Sequence, residues 1–416
     1  MSDERVTNWA GNIVFGARRL HRPASVEQVQ EIVAAGGPVK VLGSGHSFNR
    51  MADTGGDLIS LAGLPRIAEI SADRTGVRID GGARYGDVVD RLQAEGLALH
   101  NTASLPHISV AGAIATATHG SGERNANLAA AVSAIEFVAG DGKLVTLRRD
   151  TDGDTFNGAV VHLGALGVIT ALTLDVQPAY DIRQYVYDNL PRASVQEHLQ
   201  EILADGYSVS LFTNWTGPDI NMVWLKRREP MPAGDFHGAT RADTPRHPVP
   251  GMPARNATDQ TGEPGPWYTR LPHFRLEFTP SSGEELQSEY HVPRERALEA
   301  VEAVAAIGPD VSSVLQICEL RTIAADELWL SPNYRRDTFA LHFTWIADTE
   351  AVLPVVAKLE QALAPFDART HWGKVFTADP AAVRGQYERF ADFVALTREY
   401  DPQRVFRNPW LDALLD

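Results

Sequence analysis

Apolar residues in the first part of the chain recur over short distances, at helical spacing in some stretches and at strand spacing in others. Val26, Val29 and Val33 follow Ser25 at the spacing of one helix face, and Ser25 is suited to cap that helix. The same rules predict a second helix at 85–95, a hairpin at 136–146 and strands at 39–42, 58–61, 67–70, 77–80 and 167–174. Helices and strands are therefore expected to mix in this part.

The pattern changes after Pro178, where the apolar runs become longer. Between Pro230 and Pro280 the chain carries ten prolines and little periodicity, but also large apolar residues such as Trp267. We expect this stretch to be an ordered loop that packs over a site rather than a disordered insertion. Around it, the pattern predicts helices at 294–307 and 353–363 and strands at 207–212, 222–226, 274–278, 315–321 and 339–345.

Composition narrows the possible function classes. The chain has 416 residues, more than one hydrophobic core usually serves, so two domains are expected. Its formal net charge of −15 argues against nucleic acid and anionic membrane surfaces as partners. Cys318 is the only cysteine, which excludes an internal disulfide and a cysteine-based metal site. Residues 1–9 lack the apolar core of a signal peptide and no apolar run could span a membrane, so we expect a cytoplasmic protein. We also expect a monomer.

The segment 39–48 places a tight glycine turn directly after an apolar strand. Gly43 and Gly45 would let backbone N–H groups approach a phosphate closely. A Rossmann fingerprint would need a third glycine and a helix directly after the turn, but Phe48 occupies that glycine position. The turn therefore predicts a pyrophosphate cradle of another kind, and His46 brings a nucleophilic imidazole beside it.

A second stretch, residues 101–122, consists almost entirely of small residues. Gly112 and Ala117 leave room for a flat ligand to lie against the backbone. Taken alone, the pattern fits a bound cofactor and a tight helix–sheet contact about equally well, but the nearby glycine turn favours the cofactor. Hydroxyl groups that could hold phosphates or ring heteroatoms come from Ser104, Ser109, Thr116 and Thr118.

Two predicted strands of the second part carry polar side chains where core residues would be expected. Strand alternation puts Glu319 on the same face as Arg321, and His342 on the same face as Thr344. Taken singly, each pair is better explained as a solvent-facing strand edge or a structural salt bridge. If the faces converge with Lys374, they form a patch that could recognise a polyol, since each buried hydroxyl left unpaired costs about 1–3 kcal/mol.

The histidines of the chain do not indicate a metal site. They are numerous, but they lack ligand spacing such as His-Glu-x-x-His and have no cysteine support, so no metal is expected. The histidines considered are His100, His107, His119, His342 and His371.

Several motifs together resemble those of a known family. They lie at 43–47, 104–109, 118–122 and 163–170, with further matching segments at 249–253, 265–267, 278–283 and 371–374. Through them the chain resembles FAD enzymes of the vanillyl-alcohol-oxidase type, and within that superfamily the bacterial alditol oxidases. The resemblance covers essentially the whole length. It implies an α+β, two-domain, PCMH-type fold: an FAD-binding domain at 1–178, a central sheet-plus-helix substrate domain at 179–371, and a C-terminal segment at 372–416 that returns to the FAD domain.

The resemblance also implies a covalent FAD, attached through its 8α-methyl group to His46. A neutral imidazole nitrogen can act as the nucleophile toward an electrophilic 8α carbon, and the link would fix the flavin and raise its potential. The other residues implied to bind FAD are Leu42, Gly43, Ser44, Gly45, Ser47, Ser104, Ser109, Gly112, Thr116, Ala117, Thr118, His119, Val168, Ile169 and His371.

For the reaction, the resemblance implies that a linear alditol such as xylitol or sorbitol is oxidised at its C1 hydroxyl to the aldose. Hydride would pass to flavin N5, and O2 would be reduced to hydrogen peroxide. A base must take the hydroxyl proton, and both Lys374, beside the catalytic partner Arg321, and His342 qualify. The residues implied to bind substrate are Ser104, Glu319, Arg321, Thr344 and Lys374.

Two alternative functions stay open. An aldonolactone oxidase or dehydrogenase of the same superfamily would share the first domain and the Gly-x-Gly-His-Ser turn, although the segments of the central domain favour the alditol group. A non-catalytic flavoprotein would be expected to lack the polar patch, whereas Glu319, Arg321 and Lys374 are all present.

Overall fold

The computed structural model describes residues 6–232, 234–277 and 284–416. In the first part of the chain, a small antiparallel sheet is built around the strand Val168–Asp175, whose apolar run is almost entirely buried. In spatial order its strands are Ala68–Ile70, Gly76–Asp80, Val168–Asp175, Val132–Val138 and Leu144–Arg148. Beside this small sheet, a parallel sheet runs in the order Arg19–His21, Asp57–Ile59, Val39–Val41. A pair is formed by Leu97–Ala98 and Gln177–Pro178.

The first helix begins where the sequence predicts. Ser25 accepts a hydrogen bond from the backbone N–H of Gln28 and caps the helix Val26–Ala34. Val29 and Val33 on its inner face are fully buried. The other α-helices in this first part of the chain are Tyr85–Ala94, Val110–Ala115 and Arg149–Val160.

A large antiparallel sheet, of nine strands among the described residues, dominates the second part of the chain. Its strands follow the order Thr240–Arg241, Asp181–Leu190, Ile220–Arg227, Ser208–Thr213, Leu315–Ile323, Thr338–Ile346, Glu285–Pro293 and Arg369–Thr370, and Gly265–Pro266 pairs with Asp181–Leu190. The remaining α-helices are Arg192–Ala204, Ala297–Ala306, Gly308–Ser312, Thr349–Leu363, Pro380–Gly385, Phe390–Tyr400 and Pro409–Leu415.

The two faces of the large sheet differ in chemistry. On one face, Leu320, Leu341 and Phe343 pack with Val352 and Leu359 of a covering helix, and all five are fully buried. Because side chains alternate along a strand, the residues between them point to the other face, which carries the polar groups described below. One face of the large sheet therefore belongs to a hydrophobic core and the other lines a cavity.

The C-terminal residues pack against the N-terminal ones. The side chain of Asn408 donates hydrogen bonds to the backbone carbonyls of Arg50, Met51 and Asp53 at 3.0, 3.1 and 2.7 Å. One hydrophobic core combines residues around the small sheet with Leu411 and other residues of the last helices. A second core joins residues of the large sheet and its helices. The expected domain boundaries at 178 and 371 stay a prediction.

The strand expected at 274–278 is wrong over its described residues, 274–277. Phe274 makes only an isolated bridge with Ala257, and the chain turns at Leu276 and Glu277. The backbone N–H groups of Phe274 and Arg275 donate to the carbonyls of Ser104 and Asn256, which do not belong to a strand. Several elements were not predicted from the sequence. They include the strands Asp181–Leu190 and Glu285–Pro293 and the helices Arg149–Val160, Arg192–Ala204, Phe390–Tyr400 and Pro409–Leu415.

The proline-rich stretch is an ordered loop over a cavity where the structure describes it, as expected. Residue 233, the predicted strand end Phe278 and the motif 278–283 lie outside the described residues. Within the described ranges, no helix has both the length and the apolar content required to cross a bilayer.

Candidate active site

A cavity of about 600 Å³ lies between the glycine turn, the small-residue segment and the polar face of the large sheet. The proline-rich loop adds His247, Val249, Met252 and Phe274 to its walls. All the residues predicted to contact the substrate or act as bases line this one cavity: Ser104, Glu319, Arg321, His342, Thr344 and Lys374. The residues that were predicted from the sequence to form the substrate site therefore line one cavity in the structure.

Most of the residues predicted to bind the cofactor line the same cavity. Ala117 and Val168 are buried next to it but are not part of its lining. Val168 packs instead with Val138 in a separate hydrophobic cluster. The predicted residues that do line the cavity are Leu42, Gly43, Ser44, Gly45, His46, Ser47, Ser104, Ser109, Gly112, Thr116, Thr118, His119, Ile169 and His371.

The glycine turn is tied to the small-residue segment through two serines. The backbone N–H of Ser44 donates to Ser109 Oγ at 3.3 Å, and the N–H of Ser109 donates to Ser44 Oγ at 3.1 Å. A Cβ atom at Gly43 would lie 2.3 Å from Ser109 Oγ, and Gly45 has a φ of +72°. Both positions therefore require glycine. The turn leaves its backbone open to a ligand, which fits the phosphates of a dinucleotide.

The small-residue segment forms the short helix Val110–Ala115 and a tight turn after it. A Cβ atom at Gly112 would lie 2.7 Å from Ser109 Oγ, so a larger residue would collide with the serine that holds the glycine turn. Thr116 Oγ1 and Thr118 Oγ1 lie 3.0 Å apart at the cavity wall. The segment thus provides a backbone surface with adjacent hydroxyls, as a flat cofactor requires.

His46 occupies the end of the glycine turn, with its ring stacked on that of Trp9 at a centroid distance of 4.9 Å and an interplanar angle of 19°. Both ring nitrogens are shielded from solvent, and neither has a hydrogen-bond partner among the described residues. Burial, and then the positive charge of Lys374, lowers the pKa of His46 to about 4, so the imidazole is neutral at pH 7. A buried, unpaired polar atom carries a free-energy cost. These properties fit a nitrogen that bonds to a cofactor.

Three neighbouring strands of the large sheet present polar side chains to the cavity. In the pairing register Glu319 lies opposite His342, which in turn lies opposite Glu289 on the third strand. Thr344 lies opposite Gln287 in an adjacent row. The polar faces of the two strands identified from the sequence therefore converge, and a third strand extends the patch.

Arg321 lies between two buried carboxylates. Its guanidinium donates a hydrogen bond to Glu289 Oε1 at 2.9 Å and lies 3.3 Å from Glu319 Oε2. Burial is the largest single effect and disfavours the charge on these carboxylates. The positive charge of Arg321, together with His119 beside Glu289 and His273 beside Glu319, outweighs it and keeps the pKa of both below the usual value. The site therefore offers ionised acceptors beside a permanent donor.

Lys374 and His342, the two candidate bases, share the side chain of Gln287. Lys374 Nζ donates to Gln287 Oε1, and His342 Nε2 lies 3.1 Å from the same oxygen. Burial lowers the pKa of Lys374 to about 8 and that of His342 to about 3. Lys374 therefore releases its proton close to physiological pH, whereas His342 is a much weaker base.

Lys374 is held beside the glycine turn by backbone contacts. The N–H of Phe48 donates to the carbonyl of Gly373 at 2.8 Å. The side chain of Asn49 donates to the carbonyls of Trp372 and Lys374 at 2.7 and 3.0 Å. The C-terminal part of the chain therefore places its lysine next to the cofactor cradle.

Three residues of the site were not predicted from the sequence: Gln287, Glu289 and His273. His273 Nε2 lies 2.9 Å from Glu319 Oε1. Gln287 and Glu289 belong to the strand Glu285–Pro293, which carries a polar residue at every second position. That alternation is the signal that identified the two neighbouring strands, and it could have identified this one. His273 lies in an irregular loop segment without such a signal.

One group of side chains has the composition of a metal site. Ligand atoms of His119, Glu289 and His291 all lie within 4.8 Å of one another, and all three residues are buried. His119 Nε2 lies 3.0 Å from Glu289 Oε1, the oxygen to which Arg321 also donates. A divalent cation there would meet the guanidinium of Arg321, so the arrangement fits a buried ion-pair network better than a metal centre.

Comparisons with known proteins agree with this site. Residues 17–148 match the FAD binding domain family, and residues 283–414 match the D-arabinono-1,4-lactone oxidase family. An alditol oxidase from a Streptomyces strain is 54% identical over 99% of both chains. The chain belongs to the alditol oxidase family, within the VAO/PCMH group of flavoenzymes. It is therefore an FAD-dependent oxidoreductase, as the resemblance in its motifs implied.

Two further similar proteins share less of the sequence. An L-gulono-1,4-lactone dehydrogenase from Mycobacterium tuberculosis is 28% identical over 98% of both chains. A solvent-stable cholesterol oxidase has the same fold, with a TM-score of 0.79, 16% identity, and coverage of 99% of this chain and 97% of that one. This likeness, together with the match of residues 17–148 to the FAD binding domain family, confirms the expected VAO/PCMH-type FAD fold with mixed helices and sheets.

Proposed function

We propose that the protein oxidises linear C5 and C6 alditols such as xylitol and sorbitol at the terminal C1 hydroxyl, giving the aldose and, from O2, hydrogen peroxide. The observation that carries the proposal is one cavity that joins the glycine turn and His46 to the polar face of the large sheet. FAD, when bound, supplies the hydride acceptor at flavin N5. Binding the polyol and removing its proton fall to the side chains of the chain itself.

The mixture of donors and acceptors suits a neutral polyol. Arg321 offers only donors, ionised Glu319 and Glu289 offer only acceptors, and Thr344 offers both. A hydroxyl can donate and accept at once, whereas a carboxylate or phosphate would be repelled by the two glutamates. Short alcohols would leave the distal partners unpaired, at a cost of about 1–3 kcal/mol for each buried group. Linear alditols with several hydroxyls are therefore the expected substrates.

Lys374 is the base that the site supports best. Hydride can leave C1 only as the hydroxyl proton is removed, and a base works best when its pKa lies near the working pH. The pKa of Lys374, which burial lowers to about 8, meets this condition, whereas that of His342, lowered to about 3, does not. We assign His342 to hydrogen bonding beside Gln287 and Arg321 to holding the reacting end of the substrate.

His46 would hold FAD through a covalent bond to the 8α carbon of the isoalloxazine ring. The support is the neutral imidazole with two shielded, unpaired nitrogens at the end of the cradle. Ser44 and Ser109, which lock the turn to the small-residue segment, would keep the phosphate cradle in shape. Ser104, which lines the same cavity as Lys374 and Glu319, would contact both flavin and substrate.

The proposal that O2 accepts the electrons can be tested directly. Ala103 and Ala113 line the cavity and leave room for O2 beside the cofactor. We expect one hydrogen peroxide to form for each alditol oxidised when purified holoenzyme is supplied with xylitol in air. The measurement is a coupled peroxidase assay beside quantification of the aldose, with catalase added as the control. Turnover that requires an added dye, with O2 inert, would show a dehydrogenase instead.

A second candidate is oxidation of an aldonolactone. It is favoured by the match of residues 283–414 to the D-arabinono-1,4-lactone oxidase family. Oxidation of an alditol has the stronger support, since the Streptomyces alditol oxidase matches over 99% of the chain at 54% identity. A non-catalytic flavoprotein is disfavoured because Glu319, Arg321 and Lys374 all line the cavity.

We also propose that the protein works as a cytoplasmic monomer whose partners are the polyol and O2. The net charge of −15 supports the view that neither nucleic acid nor an anionic membrane surface is a partner. Size-exclusion chromatography with light scattering would test this. A molecular mass near 45.3 kDa is expected, and a mass of two or more times that value would contradict the monomer.

A further inference from the structure

Lys226 is a buried lysine on the same face of the large sheet as Arg321 and Glu319, and it is outside the residues assigned to the reaction so far. It lies in the strand Ile220–Arg227 and is 1% exposed. Its Nζ donates to the carbonyl of Leu271 and lies 3.4 Å from the carbonyl of Pro272 and 3.2 Å from His273 Nδ1. Burial lowers the pKa of Lys226 to about 7, and the N–H groups of its side chain face these three acceptors.

The contact with Glu319 defines which nitrogen of His273 carries the proton. The ionised carboxylate of Glu319 can only accept, so Nε2 of His273, which lies 2.9 Å from Glu319 Oε1, must donate. Burial lowers the pKa of His273 to about 4, so the ring is neutral and its one proton resides on Nε2. Nδ1 is therefore unprotonated and accepts from Lys226 Nζ at 3.2 Å.

The backbone of His273 also reaches the other side of the cavity. Its N–H donates to the carbonyl of Ser104 at 3.1 Å, and its carbonyl accepts from the N–H of Thr258 at 2.9 Å. One loop residue therefore links Ser104, in the small-residue segment, to Glu319 on the large sheet. A side chain that anchors this residue can position both walls of the cavity.

We propose that Lys226 and His273 are positioning residues that hold the Glu319 carboxylate as an acceptor for a substrate hydroxyl. His273 occupies one carboxylate oxygen and Arg321 the other. Each oxygen has two lone pairs, so acceptor capacity remains for a hydroxyl that donates its proton. This inference rests on the proposed function, because it assigns Glu319 to a hydroxyl of the polyol.

The chain offers a matched control for Lys226. Gln184 is fully buried and lies directly opposite Lys226 in the sheet register. Its side chain donates to the carbonyls of Thr258 and Asp259, in the same proline-rich loop, but it does not contact His273. Gln184→Met therefore removes a buried polar anchor of the loop while leaving the contact between Lys226 and His273 in place.

The kinetic test separates binding from chemistry. Anaerobic rapid mixing of holoenzyme with xylitol gives the dissociation constant and the limiting rate of flavin reduction. We expect Lys226→Met and His273→Leu to raise the dissociation constant about tenfold, as for loss of one charge-assisted hydrogen bond. The limiting rate should change by less than about threefold. His273→Gln keeps an N–H donor near the position of Nε2 and should restore most of the affinity.

Two results would overturn the proposal. One is an unchanged dissociation constant in Lys226→Met and His273→Leu; the other is an equal rise in Gln184→Met, which would show general loosening of the loop. If His273→Leu does not fold, as judged by thermal unfolding, His273→Gln and Lys226→Met carry the test.

A second readout does not depend on the substrate. In holoenzyme labelled with ¹⁵N-histidine, the His273 resonance, assigned by its loss in His273→Gln, should show a pyridine-like Nδ1 and a protonated Nε2. Lys226→Met should shift the Nδ1 signal. A protonated Nδ1 in the unmodified protein would refute the positioning role. If xylitol fails to reduce the flavin although the predicted tautomer is observed, the proposed function fails and the Lys226–His273 contact stands.

Discussion

Replacing Lys374 with methionine should lower the limiting rate of flavin reduction by xylitol about 10²- to 10⁴-fold, the usual contribution of a general base. Methionine keeps the length of the side chain but cannot accept the hydroxyl proton. The loss should persist at saturating xylitol, because it concerns the chemical step rather than binding. Anaerobic rapid mixing measures the rate directly. Lys358→Met, which removes an exposed lysine bonded to Asp310, is the matched control and should leave the rate unchanged.

The same rate should depend on pH in a defined direction. Burial lowers the pKa of Lys374 to about 8; Glu289, Glu285 and Glu319 oppose this shift, and Arg321 adds to it. The neutral amine is the form that accepts a proton, so the rate should rise with pH through about 8 and then level off. Lys374→Met should show no such rise. A rate that falls over this range, or a Lys374→Met variant within tenfold of the unmodified enzyme, would exclude the lysine as the base.

Replacing His46 with alanine should release the flavin from the chain. The unmodified protein is expected to stay yellow after acid precipitation and to show a fluorescent flavin band on a denaturing gel, because its FAD is bonded to the imidazole. In His46→Ala the flavin should pass into the supernatant. His107→Ala is the control, since His107 lies nearby but bonds the carbonyl of Leu276 and does not line the cavity. Free FAD in the supernatant of the unmodified protein would contradict covalent attachment.

The parts of the site that the sequence predicted are those governed by local rules. Strand alternation alone puts Glu319 with Arg321 and His342 with Thr344, and the sheet register then brings the pairs together. The glycine turn could be predicted because the φ of +72° at Gly45 favours glycine at that position, whatever the rest of the fold. Its lock to Ser109, 65 residues away in the chain, depends on tertiary packing and has no sequence signal.

The residues that were missed fall into two groups. The strand that holds Gln287 and Glu289 does carry the polar alternation, but Ser288 and Tyr290 on its opposite face weaken the contrast between the faces. His273 gains its role only because a loop meets Lys226 from a distant strand. The failed strand at 274–278 has the same cause: its backbone partners are loop carbonyls, which propensity cannot foresee.

The most direct test of the central claim compares substrates in the flavin reduction step. Holoenzyme is mixed anaerobically with xylitol, sorbitol, glycerol, a sugar acid and L-gulono-1,4-lactone at matched concentrations, and flavin bleaching is followed. We expect the fastest bleaching with xylitol or sorbitol, slow bleaching with glycerol, and the slowest with the sugar acid, which Glu319 and Glu289 repel. Fastest reduction by the lactone or the sugar acid would contradict alditol oxidation.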